Sequence, residues 1–406
     1  MAPDKHAAQQ QGGKQQVARR PFIVGTRRVD TSTYDNSTNL SAGTQALPNY
    51  ILEADGFASG LYILCETSLS ATATGVVNYA EDAPFAIYDT IELDDTNSKP
   101  IFGPMTGWDL AMVNKYGGYT HCDDPRNNSD SFLLTSGSAV AFGFVLRLPI
   151  ELVHRDGFGS LENKSSSATY TLKTRLAAYA AGSVFNTVGA QTITVRTRIQ
   201  QFGWMDPQPT DIQGNAVSPL PPAKGTTQTW DKQDYQGLAS GSLNQPLTGL
   251  DTMIRNLLFV LRDNSASSAT AAASATSSAT PRHAGDISFP DPFTLKYETA
   301  IPINRLRKIW QHMIGEDLMY GNSRGGGASE AALSRDLGVY PEHFTRDYGL
   351  KPGAESRYGY LAANSGTSFK VSGTVVASSG TAPYRLTVLA NKVAPAGGNA
   401  RAMAAK

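Results

Sequence analysis

The sequence predicts a mainly all-β protein: two copies of one β-sandwich module in tandem, each with a short helix set into a connection. Three observations carry that expectation. Apolar residues recur with period two in short runs, punctuated by 38 Gly and 22 Pro, which is the texture of a sandwich or barrel. Helical stripes are confined to two short stretches. The same order of parts occurs twice along 406 residues, a length above the roughly 250–300 at which single cores stop growing.

The strand-like runs start with Leu61 to Thr67, a short β-prone segment. Ala83 to Leu93 is the next, closed by the turn cluster Asp94-Asp95-Thr96-Asn97. Ser138 to Val153 is longer, but Arg147 and Pro149 interrupt it. It therefore falls short of the roughly 20 apolar residues a membrane span needs. Ala168 to Leu176 and Thr192 to Phe202 alternate apolar and polar residues, as half-buried strands do. For helices, Thr106-Gly107-Trp108-Asp109 has the form of a capping box with Asp in place of Glu, and Gly117-Gly118 is the stop. The second helix is expected over Ile303 to Tyr320, with Ile303, Leu306, Ile309, Trp310, Met313 and Ile314 on one stripe.

The repeat is one of order rather than identity. Segment 60–70 parallels 256–264, and 82–95 parallels 290–304, with Tyr297 matched to Tyr88. The Trp108 helix parallels the Trp310 helix, so both tryptophans are expected to anchor cores. An Arg-Asp-Gly closure, an alternating strand and a terminal strand follow in each half. Residues 206–227 are Pro-rich and read as a linker between modules 21–205 and 228–395, with a tail at 396–406. Segment 263–280 is a Ser/Ala tract with no residue large enough for a core, expected as an exposed loop. Residues 1–20 form a polar arm in which Lys5, Lys14, Arg19 and Arg20 face one acid, Asp4. Such an arm is either a frayed tail or a segment ordered by a neighbour or an anionic lipid surface.

Charge and chemistry narrow the function. Lys plus Arg and Asp plus Glu are 35 each, which argues against a strongly basic nucleic-acid coat. Charged residues are 17%, low against roughly 25% for soluble domains, and a charge-poor surface suits packing against copies of itself. With no apolar leader at the N-terminus, the chain is expected to be made in the cytoplasm with free thiols at Cys65 and Cys122. No two of the six histidines form a metal pair, and His121-Cys122-Asp123-Asp124 reads as a polar loop. Gly321-Asn322-Ser323-Arg324-Gly325 fits G-x-S-x-G by letter, but a helix precedes it and glycines follow, the wrong context for a nucleophile elbow. No catalytic set, metal or cofactor is expected.

At this point the chain resembles a family. ADGFASGLYILCETSLSATAT, then DAPFAIYDTIELDDTNSKPIFGPMTGWDLAMVNKYGG, is similar to the strand, loop, strand, turn and Gly-Trp helix opening of tectivirus major capsid proteins, the double jelly-roll lineage shared with adenovirus hexon. Gly107-Trp108 and Val113-Asn114 are the best single matches; the 263–280 loop and the Gly-rich 321–328 segment have no counterpart. The resemblance implies two eight-stranded jelly rolls in a non-enzymatic bacteriophage capsid subunit. It implies a homotrimer that imitates a hexagon and packs with neighbouring trimers into an icosahedral virion shell, assembled in the host cytoplasm. Under that shell it implies an internal lipid membrane faced by the arm, with penton, spike and minor membrane-associated capsid proteins as partners and no sequence-specific nucleic acid. Two other classes compete. A jelly-roll receptor-binding spike or adhesin would need a fibrous stalk, and no heptad or collagenous repeat is present. A β-sandwich carbohydrate hydrolase would need two carboxylates flanking a cleft.

Overall fold

Strands form where apolar and polar residues alternate, and the pairing register turns each apolar set inward. The structure, a computed structural model, describes residues 19–69, 78–79, 82–119, 132–136, 139–180, 184–189, 192–263, 289–318, 338–345, 359–363, 366–375 and 383–394. The first module contains β1 (Arg28–Asn39), β2 (two pieces, Gln45–Ala46 and Tyr50–Ile51), β3 (Gly56–Leu69), β4 (Tyr88–Asp94) and β5 (Pro100–Met105). Helix α1 (Gly107–Tyr116) follows, then β6 (Ala139–Pro149), β7 (Thr171–Leu176) and β8 (Ile193–Trp204). The second contains β9 (Thr227–Leu238), β10 (Gly241–Leu247), β11 (Met253–Asp263), β12 (Phe293–Tyr297) and β13 (Ala300–Arg305). Helix α2 (Arg307–Leu318) follows, then β14 (Val339–His343), β15 (Phe369–Val375) and β16 (Tyr384–Ala394).

The first module pairs its strands in the orders β1-β8-β3-β6 and β2-β7-β4-β5; the second uses β9-β16-β11-β14 and β10-β15-β12-β13. Adding eight to each label of the first module yields the second. Each is an eight-stranded jelly roll, with its helix between the fifth and sixth strands. Register explains the inner faces. Ile199 lies opposite Ile63 and Thr197 opposite Cys65, all buried, while Arg196 and Arg198 point outward. A one-residue slip would drive both arginines into the core.

The modules are not beads on a string. Strand β5 pairs in parallel with β9 at Phe102 and Trp230, so a first-module sheet runs on into a second-module sheet as one continuous surface. One apolar core continues from Leu40 to Ala390 across both modules. The Pro-rich 206–227 segment folds against the base of the first module: Val217 is buried, and Leu220 packs against the Phe22, Phe57 and Trp204 cluster.

Two expectations need correction. Tyr297 lies opposite Phe369 at the start of β15, where the first module has Asp94 opposite Thr171 at the start of β7, so Tyr297 does not match Tyr88. The second helix begins at Arg307 rather than at Ile303, which lies buried in β13, and its stripe is only half used: Trp310 and Ile314 are buried, but Leu306 and Ile309 are 51% and 52% exposed. The reason is geometric: nothing described in the chain covers the outer side of α2, whereas all ten residues of α1 are buried.

Candidate assembly surfaces

The best-built polar site joins the two modules. Thr106 caps α1: its hydroxyl accepts from Asp109 N, and the Asp109 carboxylate accepts from Thr106 N at 3.0 Å, the capping box read from the sequence. The same Asp109 Oδ2 accepts from Lys232 Nζ of β9 at 2.7 Å, with both side chains largely out of solvent. Burial pushes this carboxyl up, but the Lys232 and Arg262 charges outweigh it and hold the group below its ordinary value. Beside the preceding residue, the Arg262 guanidinium sits 3.9 Å from the Trp108 ring centroid and donates to Asp82 at 3.0 Å. At the far end of α1, Asn256 donates to Tyr116 O at 2.9 Å and Arg255 to Gly117 O at 3.0 Å. Tyr119 donates to Gln228, which in turn donates to the carbonyls of Ile150 and Glu151. Buried charges of this kind are tolerated only when each finds a partner, and here the Asp109–Lys232 and Asp82–Arg262 pairs both cross between the modules.

The tryptophans lie in corresponding helices but on opposite sides. Both helices begin two residues past a strand that ends at Met105 or Arg305, so α2 positions equal α1 positions plus 200. Trp108 is the second helical residue and Trp310 the fourth, an offset of about 200° around the axis. Trp310 therefore enters its own core, against Phe259, Phe289, Phe293 and Tyr340, whereas Trp108 faces the junction under Arg262.

Of the four basic arm residues, Lys5 and Lys14 lie outside the described residues. Arg19 is exposed. Arg20 is tied down: it forms a parallel bridge with Val217, and its guanidinium lies 3.6 Å from Asp211. Arg20 therefore belongs to the folded base of the first module rather than to the arm. The 264–280 part of the Ser/Ala tract, the 321–328 segment with its G-x-S-x-G letters, His121 to Asp124 and the tail also lie outside the described residues.

Two clusters that the sequence did not signal carry acid–base groups. Buried Glu151 accepts from Trp204 Nε1 at 3.1 Å and from Ser160 Oγ at 3.3 Å, and also pairs with His154 Nδ1. The hydroxyl and the imidazole both spend their bonds on the carboxylate, so this is not the nucleophile–base–acid order of a triad. The second lines a cavity of about 120 Å³ between Arg305, Trp310, Asp317, Glu342 and His343. Burial raises the Glu342 carboxyl despite Arg305, while the His343 bond lowers Asp317. Split carboxylates suit hydrolysis, but Glu342 is clamped by both Arg305 nitrogens, and ligand pockets usually occupy roughly 300–1,000 Å³. Cys65 is buried, and burial pushes its thiol up to about 12, far from a reactive thiolate.

The whole-chain architecture is what other structures share. The chain matches no protein-family model and no curated protein sequence. Among solved structures it is similar to the STIV MCP, at 12% identity over 90% of this chain and 96% of that one, with a TM-score of 0.53. It is similar to a chain in the atomic structure of Sulfolobus turreted icosahedral virus, at 10% identity over 90% of each chain, with a TM-score of 0.57. PBCV-1 VP54, as fitted into the virophage Sputnik, aligns at 12% identity over 93% and 95%, with a TM-score of 0.52. The shared fold is the double jelly roll. Its junction here is lined by residues of this chain's own choosing, since at such identity only the fold is held in common.

Proposed function

We propose that this chain is a major capsid protein: a double jelly-roll subunit that assembles as a homotrimer and packs with neighbouring trimers into the icosahedral shell of a virion. One observation carries the reading. The alignment with the STIV MCP runs nearly end to end on both chains, so both jelly rolls and their order are matched, not one sandwich domain. The fused junction supports it, because two modules locked edge to edge act as one rigid building block. No enzymatic role is assigned, since neither acid–base cluster has the geometry for one.

The finer reading places an internal lipid membrane beneath the shell, as in bacteriophages of the tectivirus kind, with penton, spike and minor membrane-associated proteins as further partners. The base of the first module supports the membrane side. Val24, Met205 and Ile212 are 52%, 48% and 97% exposed there, close to Arg19 and the start of the arm. Each Lys or Arg near anionic headgroups contributes roughly 1 kcal/mol, and exposed apolar side chains can enter the headgroup layer. Assembly takes place in the host cytoplasm on this reading.

Sedimentation velocity on the purified chain tests the reading first. A species of three chain masses, or shells in the electron microscope, is the expected result; a folded monomer at micromolar concentration overturns it. For the membrane, Lys5, Lys14, Arg19 and Arg20 replaced together by Gln should reduce flotation with anionic vesicles at low salt. Unchanged flotation rejects the lipid-facing arm.

A further inference from the structure

We propose that Arg147 is the centre of an oxyanion-binding site on the outer face of the β1-β8-β3-β6 sheet. Its guanidinium is held against two aromatic rings and takes the two oxygens of one carboxylate or phosphate group. The site does not depend on the assembly reading above.

Arg147 is the charge that interrupts the Ser138 to Val153 run. It lies opposite Tyr62 and faces outward, while Leu146 and Leu148 on either side fill the core. Its main chain is fixed by α1: the Asn114 amide accepts from Arg147 N at 2.8 Å and donates to Arg147 O, as a neighbouring strand would. Its side chain is fixed by rings. The guanidinium carbon lies 5.4 Å from the Phe202 centroid and 5.6 Å from the Tyr119 centroid. Phe202 itself stacks on Tyr62 at 4.9 Å, and residue 60 must be Gly beneath it, since a Cβ there would lie 2.6 Å from Phe202 Cζ. Arg28 shares the Phe202 ring at 5.2 Å and Arg255 the Tyr119 ring at 5.3 Å, so cations and rings alternate across the face. Attraction to a ring orients a guanidinium without using its donors.

The other arginines of this face show what Arg147 lacks. Arg28 pairs with Asp30 at 3.1 Å, Arg196 with Asp35, and Arg198 with Glu66 at 2.6 Å. Among the described residues no carboxylate pairs with Arg147. Its Nε is buried without an acceptor, and its two terminal nitrogens bond no described group and keep contact with solvent. A half-buried guanidinium has shed part of its water and gained no acceptor in exchange.

That arrangement selects the ligand. The edge formed by the two terminal nitrogens matches two oxygens of one carboxylate or phosphate, and this end-on mode leaves Nε out. The rings have already restricted the side chain, so binding spends little further rotamer freedom. The groups that hold Arg147 are also junction groups: Asn114 belongs to α1, and Tyr119 donates to Gln228 of β9 at 3.0 Å. An oxyanion that binds only the folded chain therefore raises its unfolding midpoint by mass action.

The test uses the full chain at fixed pH and ionic strength. Chloride is exchanged stepwise for phosphate, and separately for acetate, while the unfolding midpoint is followed. The phosphorus NMR line width reports phosphate binding in parallel. The midpoint should rise and saturate; saturation with phosphate alone assigns the phosphate class, and saturation with acetate as well assigns any paired oxygens. Arg147→Met keeps the stem against the rings, and Arg147→Lys keeps the charge without the fork. Each should weaken binding about tenfold or more, the worth of lost charge-assisted hydrogen bonds. Arg28→Gln, at an arginine that already has a carboxylate, should leave binding unchanged. Circular dichroism should show both Arg147 variants folded; if the Met variant is not, the Lys variant and the line width decide. A rise that never saturates with either anion overturns the site. So does a Lys variant that binds as the unsubstituted chain does, or a loss caused by Arg28→Gln and not by Arg147→Met.

Discussion

Asp109 shows how much of the junction hangs on single groups. It caps its own helix and neutralises Lys232 of the other module through the same carboxylate oxygen. Its carboxyl is held below the ordinary value, so the unfolded chain binds the proton more readily than the folded one. Stability from Asp109 is therefore complete above the unfolded value near pH 4 and is lost as pH falls through the lower folded one. Asp109→Asn should cost about 3 kcal/mol at neutral pH, since it leaves Lys232 with only the longer contact to Asp234 at 3.8 Å. The deficit should shrink below about pH 4; urea melts of both proteins at pH 7 and pH 3.5 check this. A deficit that stays constant with pH would show that the charge is not what matters. Arg262→Met should likewise destabilise by about 3–5 kcal/mol because it strands Asp82, and Asp82→Asn in the same chain should recover part of that loss, measured as a double-mutant cycle. None of these partners was legible in the sequence: Asp109 is 123 residues from Lys232 and Asp82 180 from Arg262. The capping box was legible because its partners are three residues apart, and so its loss is a local matter. Thr106→Ala should cost about 1 kcal/mol in the same melts.

At the scale of elements, strands with a buried face announced themselves and edge strands did not. Strands β3, β4, β6, β7, β8, β11, β12, β15 and β16 all overlap apolar or alternating runs read from the sequence. Strands β1 and β9 were passed over because RVDTSTYDNSTN and TQTWDKQDYQGL are polar along nearly their whole length; β1 is a sheet edge, whereas β9 pairs with β16 and, at the module junction, with β5. Strand β5, PIFGPM, was hidden by two prolines and a glycine. That glycine is a structural requirement. Gly103 has φ +80°, and a Cβ there would lie 2.4 Å from the Ile91 carbonyl oxygen, so Gly103→Ala should destabilise by about 1–3 kcal/mol in denaturant melts. The pair β3 and β11 holds a further signal. Strand β3 alternates, LYILCET, because only one face is covered; β11 reads NLLFVL and is buried throughout, Leu257 to Leu261 all at 0% exposure. A continuous apolar run is what a strand covered on both faces looks like. The difference between two otherwise parallel runs was the one trace of the junction in the sequence.

At the scale of the whole molecule, the duplicated sequence suggests two domains while the core and the junction make one. The apolar cluster is continuous through both jelly rolls. Arg255, Asn256 and Arg262, at 1%, 0% and 6% exposure, each donate to a group of the other module: Gly117 O, Tyr116 O and Asp82. A chain cut between β8 and β9 would expose Trp230, Leu258 and Val260 on one piece and most of α1 on the other, all of them now buried. Neither piece would offer substitutes for the lost partners, and an unpaired buried charge costs several kcal/mol against a total stability of only about 5–15 kcal/mol. The two jelly rolls are therefore expected to unfold together: one calorimetric transition for the full chain, and aggregated or unfolded products when 1–205 and 206–406 are made separately. Mixing the two pieces during refolding should recover soluble complex, because all the junction contacts are present again. Two separated transitions, or two halves that are soluble and folded alone, would mean that the junction is a docking contact between finished domains. The sequence could not show this coupling, because periodicity reports which face of a strand is buried and not whose residues bury it.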